Sequence, residues 1–131
     1  MIKKIFIYAG ALIVFAWGVS HLFPAESVVE GFGDISPDNR NIIMMEWIVE
    51  GVSLVFIGLL AAAVTIIDGG STASRVVYWV CFAELNVLSV VSLFTGFKVD
   101  FPPFKLCPAI FTSASILIVL GAGRRSSLRS S

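Results

Sequence analysis

The chain has 131 residues, room for one domain and no separate soluble module. Hydrophobic residues make up 57% of it and charged residues 14%, against roughly half and a quarter in a soluble domain, so water is not its main solvent. Formal net charge is zero and no dense basic block occurs, which removes the electrostatic footprint that a nucleic acid partner requires.

A helix needs about 20 mostly apolar residues to cross roughly 30 Å of hydrocarbon, because only internally hydrogen-bonded backbone survives there. Four stretches meet this requirement: Ile5 to Phe23, Ile42 to Ile67, Val76 to Phe97 and the shorter Leu106 to Gly123. The expected fold is therefore all-α, a single integral membrane domain over residues 1–131 built as a four-helix up-and-down bundle.

Span one follows Lys3 and Lys4 and has no clean small-x-small cleavage site after it, which reads as a retained signal anchor. Its far end carries His21, and Gly10, Val14, Trp17 and Gly18 share that helix face. The two glycines there let another helix approach closely.

Pro24 to Asn41 forms the first connection, with Glu26, Glu30, Asp34 and Asp38 among Val28, Val29 and Phe32. Ala25 to Gly31 has the composition of a short interfacial helix. Ser36-Pro37-Asp38 is a helix start: a serine cap, a proline at the first helical position and an acid at the positive end of the dipole. Span two should thus begin before the hydrocarbon does.

On a helix turning 100° per residue, Glu46, Glu50, Ser53 and Ile57 of span two lie on one face, with the two carboxyls one turn apart. Two acids this close do not both ionise easily in low dielectric, so one is expected to keep its proton unless a cation or metal compensates. Gly51 and Gly58, one heptad apart, permit close packing against a neighbour that the sequence does not identify.

Asp68-Gly69-Gly70-Ser71 is a turn cluster, and Pro102-Pro103 is expected to exclude helix between spans three and four. Both connections are short, so neighbouring spans should be antiparallel. Span three holds Glu84, expected to be buried roughly 10 Å below Glu50, and Asn86, about 200° away around the helix. Thr112 and Ser115 of span four are candidate partners for these buried polar groups.

Lys3, Lys4, Arg75, Arg124, Arg125 and Arg129 fall on one side of this arrangement, and Arg40, Lys98 and Lys105 on the other. By the positive-inside rule both termini are cytoplasmic and the protein is a multi-pass protein of the cell membrane. The Ser- and Arg-rich end after Gly123 suits a solvated tail near anionic headgroups. Cys81 and Cys107 come out near opposite faces, so no disulfide between them is expected, and no CxxC unit is present for thiol redox chemistry.

Ionisable residues inside a membrane mark functional sites by default, because an unpaired charge at mid-bilayer is costly. His21, Glu46 and Glu50 are the candidate set, open to three chemistries. Imidazole and carboxylates together suit a zinc, iron or manganese ion, although a single histidine does not make the paired Glu-x-x-His arrangement of di-iron bundles. A carboxylic acid beside His21 suits acid-base catalysis on a lipid-soluble substrate. Glu46, Glu50 and Glu84 in depth order suit a proton path. Against all three stands a structural role, in which the acids hold the bundle together or bind a partner. Trp17, Trp47, Tyr8 and Trp79 are read as interfacial anchors, and Met44 and Met45 as apolar filling.

Span two contains the run Glu50-Gly51-Val52-Ser53-Leu54-Val55-Phe56-Ile57-Gly58-Leu59, and span one ends Gly18-Val19-Ser20-His21-Leu22-Phe23-Pro24. Over this first half the chain resembles the DoxX-like superfamily of small four-helix membrane proteins. Where that family often carries an arginine at the start of span one, this chain has Lys3 and Lys4. The resemblance implies a four-helix bundle and an accessory role, in respiratory or thiol redox systems or in assembly of other membrane proteins. The expected function is an accessory or interaction subunit working with the lipid bilayer and a membrane protein partner or a second copy. The alternative is an enzyme or metal-binding protein acting on a lipid-soluble substrate through His21, Glu46 and Glu50.

Overall fold

The computed structural model describes residues 2–96 and 102–123, with the backbone alone for 102–104. It is helical, with no strand among the described residues. The elements are α1 (Ile2–Leu22), α2 (Ala25–Glu30), α3 (Pro37–Asp68), α4 (Thr72–Gly96) and α5 (Pro102–Ala122). α1, α3, α4 and the Lys105–Ala122 part of α5 are each long and apolar enough to cross a membrane. The expected end of span three at Phe97, together with Lys98 and Arg124 to Arg129, lies outside the described residues.

The helix boundaries follow from local chemistry. Ser36 caps α3 by accepting the Asn39 backbone N–H at 3.2 Å, with Pro37 at the first helical position and Asp38 in the first turn. α3 then runs for 32 residues, past the length a bilayer needs, because it starts in the polar loop. Its end is marked by Asp68, whose carboxylate accepts the Gly70 N–H at 3.2 Å, and Ser71 begins the next helix by accepting the Ser74 N–H at 3.0 Å. Gly33, just after the short α2, takes φ 71°, a left-handed conformation that glycine adopts without a Cβ penalty.

Pro102 and Pro103 do not keep the chain out of helix; they open α5. A proline lacks only an N–H that the first turn leaves unsatisfied anyway, so two prolines start a helix as readily as they break one. Pro108 sits further inside the same helix.

α1 is the central packing element, lying against both α3 and α5, while α5 also lies against α4. α3 and α4 share the sparsest interface of these four neighbours, and α2 rests on α3. The core runs between them through Val14, Leu54, Ala61, Tyr78, Leu85, Phe111, Ala114 and Ile118, all fully buried. The outward faces carry Leu12, Phe56, Ile66, Val80, Val87 and Phe94, each more than half exposed, as a lipid-facing surface requires. Since lipid is as apolar as these side chains, close packing and hydrogen bonds rather than expulsion of water hold such helices together.

Glycines set that packing. A Cβ on Gly18 would stand 2.7 Å from the Gly51 carbonyl oxygen and from the Val55 nitrogen, and one on Gly58 would stand 2.7 Å from the Ala11 carbonyl. The neighbour that Gly51 and Gly58 face is therefore α1 of the same chain. Gly10 makes the equivalent approach to α5, 2.7 Å from the Ala114 carbonyl.

Candidate functional site

The Gly18–Gly51 contact fixes what stands one turn further along α1. His21 is 4% exposed, and its imidazole lies against Trp47 and Glu50 of α3. Trp47 stacks on it, with ring centroids 4.8 Å apart and planes inclined by 22°, and Trp17 meets it edge-on at 5.5 Å. The Trp47 indole N–H donates to the His21 backbone carbonyl. That carbonyl is one of the last in α1 and has no partner within the helix, so the bond satisfies it.

The His21 ring is oriented by a second contact. Its Nδ1 lies 3.1 Å from the Trp17 carbonyl oxygen, and since a carbonyl only accepts, Nδ1 carries the hydrogen. The other ring nitrogen, Nε2, faces Glu50 of α3 with 3.8 Å to Oε1, and it is buried with no hydrogen-bond partner. From α5, Cys107 lies in interaction range of both the Trp17 side chain and Glu50.

Among the candidate residues, then, His21 and Glu50 come together. Glu46 does not join them: one turn earlier on α3, it is exposed. Ser53 is exposed as well, and only Ile57 of that face is buried. Among the described residues no group of three His, Cys, Asp or Glu side chains is gathered closely enough to hold a metal ion.

Glu84 and Asn86 also part company. Asn86 is half-buried, donating to the Phe82 carbonyl at 2.7 Å and to the Ser115 hydroxyl of α5 at 3.1 Å. Thr112 pairs instead with Ser89, at 2.9 Å, and Ser89 also donates to the Pro108 carbonyl at 3.1 Å. Glu84, expected to be buried, is exposed. The reason is angular: α4 turns Leu85 and Ser89 to the core and Asn86 to α5, which leaves Glu84 on the outer side.

Sequence reasoning missed Trp47, taken for an interfacial anchor but 8% exposed and packed in the site. Its spacing carried the signal, since Trp47, Gly51, Leu54 and Gly58 are one helical face at i, i+4, i+7 and i+11.

The fold and its apolar exterior define a multi-pass helical membrane protein. Comparison with known proteins found no matching family model, no matching curated protein and no matching solved structure.

Proposed function

We propose that this protein is an accessory or interaction subunit of DoxX-like type in the cell membrane, binding a partner membrane protein through the outer face of α4. The observation that carries this reading is Glu84. It stands twelve residues from either end of α4 (Thr72–Gly96), at the middle of the span, and it is exposed. Lipid hydrocarbon is poor surroundings for a carboxyl, costing about 3 kcal/mol at the bilayer centre on insertion scales for a charged acid. A partner helix that hydrogen-bonds or neutralises Glu84 removes that cost. Val80, Val87, Val90 and Phe94 on the same outward side supply apolar contact around it.

The bundle is read as up-and-down with both termini cytoplasmic. Supporting that arrangement, Ile7 meets Gly121 while Gly10 meets Ala114, and Ala11 meets Gly58 while Gly18 meets Gly51, so positions ascend on α1 as they descend on α3 and α5. Asn86 with Ser115 and Ser89 with Thr112 run the same way between α4 and α5. Lys3, Lys4 and Arg75 supply the cytoplasmic positive charge.

A photo-crosslinking amino acid placed at Val87 in native membranes tests the partner. A discrete protein adduct that is lost with Glu84→Leu is expected; adducts to lipid alone would end this reading. The alternative, an enzyme or metal-binding protein working through His21, Glu46 and Glu50, has the His21–Glu50 approach in its favour but draws nothing from the exposed Glu46.

A further inference from the structure

His21 and Glu50 face each other across a gap that neither side chain closes. The 3.8 Å between Nε2 and Oε1 is beyond hydrogen-bond length, and Nε2 is buried without a partner. A buried polar atom left in this state is unfavourable, and a separation above 3.5 Å raises the question of what stands between.

The answer follows from counting donors and acceptors. Nδ1 is committed to the Trp17 carbonyl as a donor, so Nε2 alone can meet a ligand. A His–Glu pair holding one shared proton has two forms. With a neutral imidazole and a protonated carboxyl, Glu50 donates and Nε2 accepts; with imidazolium and carboxylate, Nε2 donates and Glu50 accepts. Either form calls for a bridging atom that accepts from one side and donates to the other. A hydroxyl does this, whereas a carbonyl or ether only accepts and an ammonium only donates.

Nε2 has under 1 Å² of free surface, so such an atom enters only as the partly exposed Glu50 carboxyl swings aside. An oxygen about 2.8 Å from both Nε2 and Oε1 would stand off the line between them and see them at about 85°, an angle open to a hydroxyl oxygen. The imidazole cannot turn away, being stacked on Trp47, edged by Trp17 and tethered through Nδ1. The two sides differ in access: the His21 side chain keeps 5% of its surface and that of Glu50 keeps 28%, so entry is past the carboxyl.

We propose that the His21–Glu50 gap is a binding site for the hydroxyl group of a lipid-soluble alcohol or phenol. Water carries the same hydroxyl chemistry and is the competing source. The site does not depend on the partner reading of Glu84, which lies on another helix and faces outward.

The test uses the full chain without a histidine tag in phosphatidylcholine nanodiscs. His21 is the single histidine, so its side-chain nitrogen resonances are unambiguous. The probes are 4-hexylphenol and its methyl ether, 4-hexylanisole, which enter the bilayer alike but differ in the one hydrogen. The phenol is expected to shift the Nε2 resonance saturably, the ether not to shift it, and Glu50→Leu to weaken the phenol response at least about tenfold. A gap that holds only water gives no shift with either probe, and a bilayer effect gives equal shifts with both; each outcome overturns the proposal. The phenol–ether comparison is made on the unaltered chain, so it decides even if Glu50→Leu fails to fold.

Discussion

The α1–α3 seam and the α4–α5 seam hold helices together by different means. Along the first, side chains are absent at the points of contact: Gly18, Gly51 and Gly58 bring backbone against backbone. Along the second, side chains bridge: Asn86 to Ser115, Ser89 to Thr112 and Ser89 to the Pro108 carbonyl. A glycine seam fixes the distance between axes rigidly, because backbone atoms have nowhere to retreat. A side-chain seam is adjustable where a bridging group keeps a second partner on its own helix, as Ser115 has in the Thr112 carbonyl at 2.8 Å and Asn86 in the Phe82 carbonyl at 2.7 Å. It is at the end of the rigid seam that the His21–Glu50 pair sits, where a fixed distance between helices holds the two backbones that carry it.

The sharpest way to break this contrast is a side chain in the glycine seam. In Gly18→Leu the new Cβ would meet the Gly51 carbonyl oxygen and the Val55 nitrogen, each at 2.7 Å, so α1 and α3 must separate. A loss of about 3 kcal/mol is expected, at the upper end of overpacking costs, measured by steric-trap unfolding in bicelles. Trp47 fluorescence should report the loss of its stacking on His21. If Gly18→Leu is as stable as the parent chain, the seam is not rigid and the contrast fails.

A smaller effect is expected from Trp47→Phe. The ring that stacks on His21 is largely kept, but the N–H that satisfies the His21 carbonyl is lost. The cost should be about 1–2 kcal/mol, the usual result of leaving a buried carbonyl unpaired. Backbone hydrogen exchange should rise at the last turn of α1 and not at α5. Equal protection in both places would show that the indole contributes packing alone.

These residues also mark how far the sequence could be read. Four apolar runs of sufficient length, the Ser36 cap and the Asp68 turn are local signals, and each lies where it is expected. The inward face of α1 was equally legible, because Gly10, Val14, Gly18 and His21 repeat with the helix. Glu46 and Glu50 show the limit: one turn apart on one face, they meet different surroundings, since α1 ends beside Glu50 and leaves Glu46 uncovered. Glu84 shows it again. Polarity alone favours burial of a carboxyl in an apolar helix, yet which face of α4 turns inward is decided by Leu85, Ser89 and the partners that α5 offers.

The side-chain seam provides the smallest expected effect. In a double-mutant cycle of Asn86→Ala and Ser115→Ala, the coupling should be about 0.6 kcal/mol, the average for interhelical hydrogen bonds measured in membranes. The value is small because the unpaired groups keep partners of their own: Asn86 retains the Phe82 carbonyl and Ser115 retains the Thr112 carbonyl. Ser89→Ala should cost somewhat more, as it removes contacts to Thr112 and to Pro108 at once. Read by the same unfolding measurement as Gly18→Leu, a coupling above about 2 kcal/mol at Asn86 would make the α4–α5 seam as unyielding as the glycine seam. The distance at the His21–Glu50 gap would then be set from the α5 side as well, through Cys107, which lies in interaction range of Trp17 and Glu50.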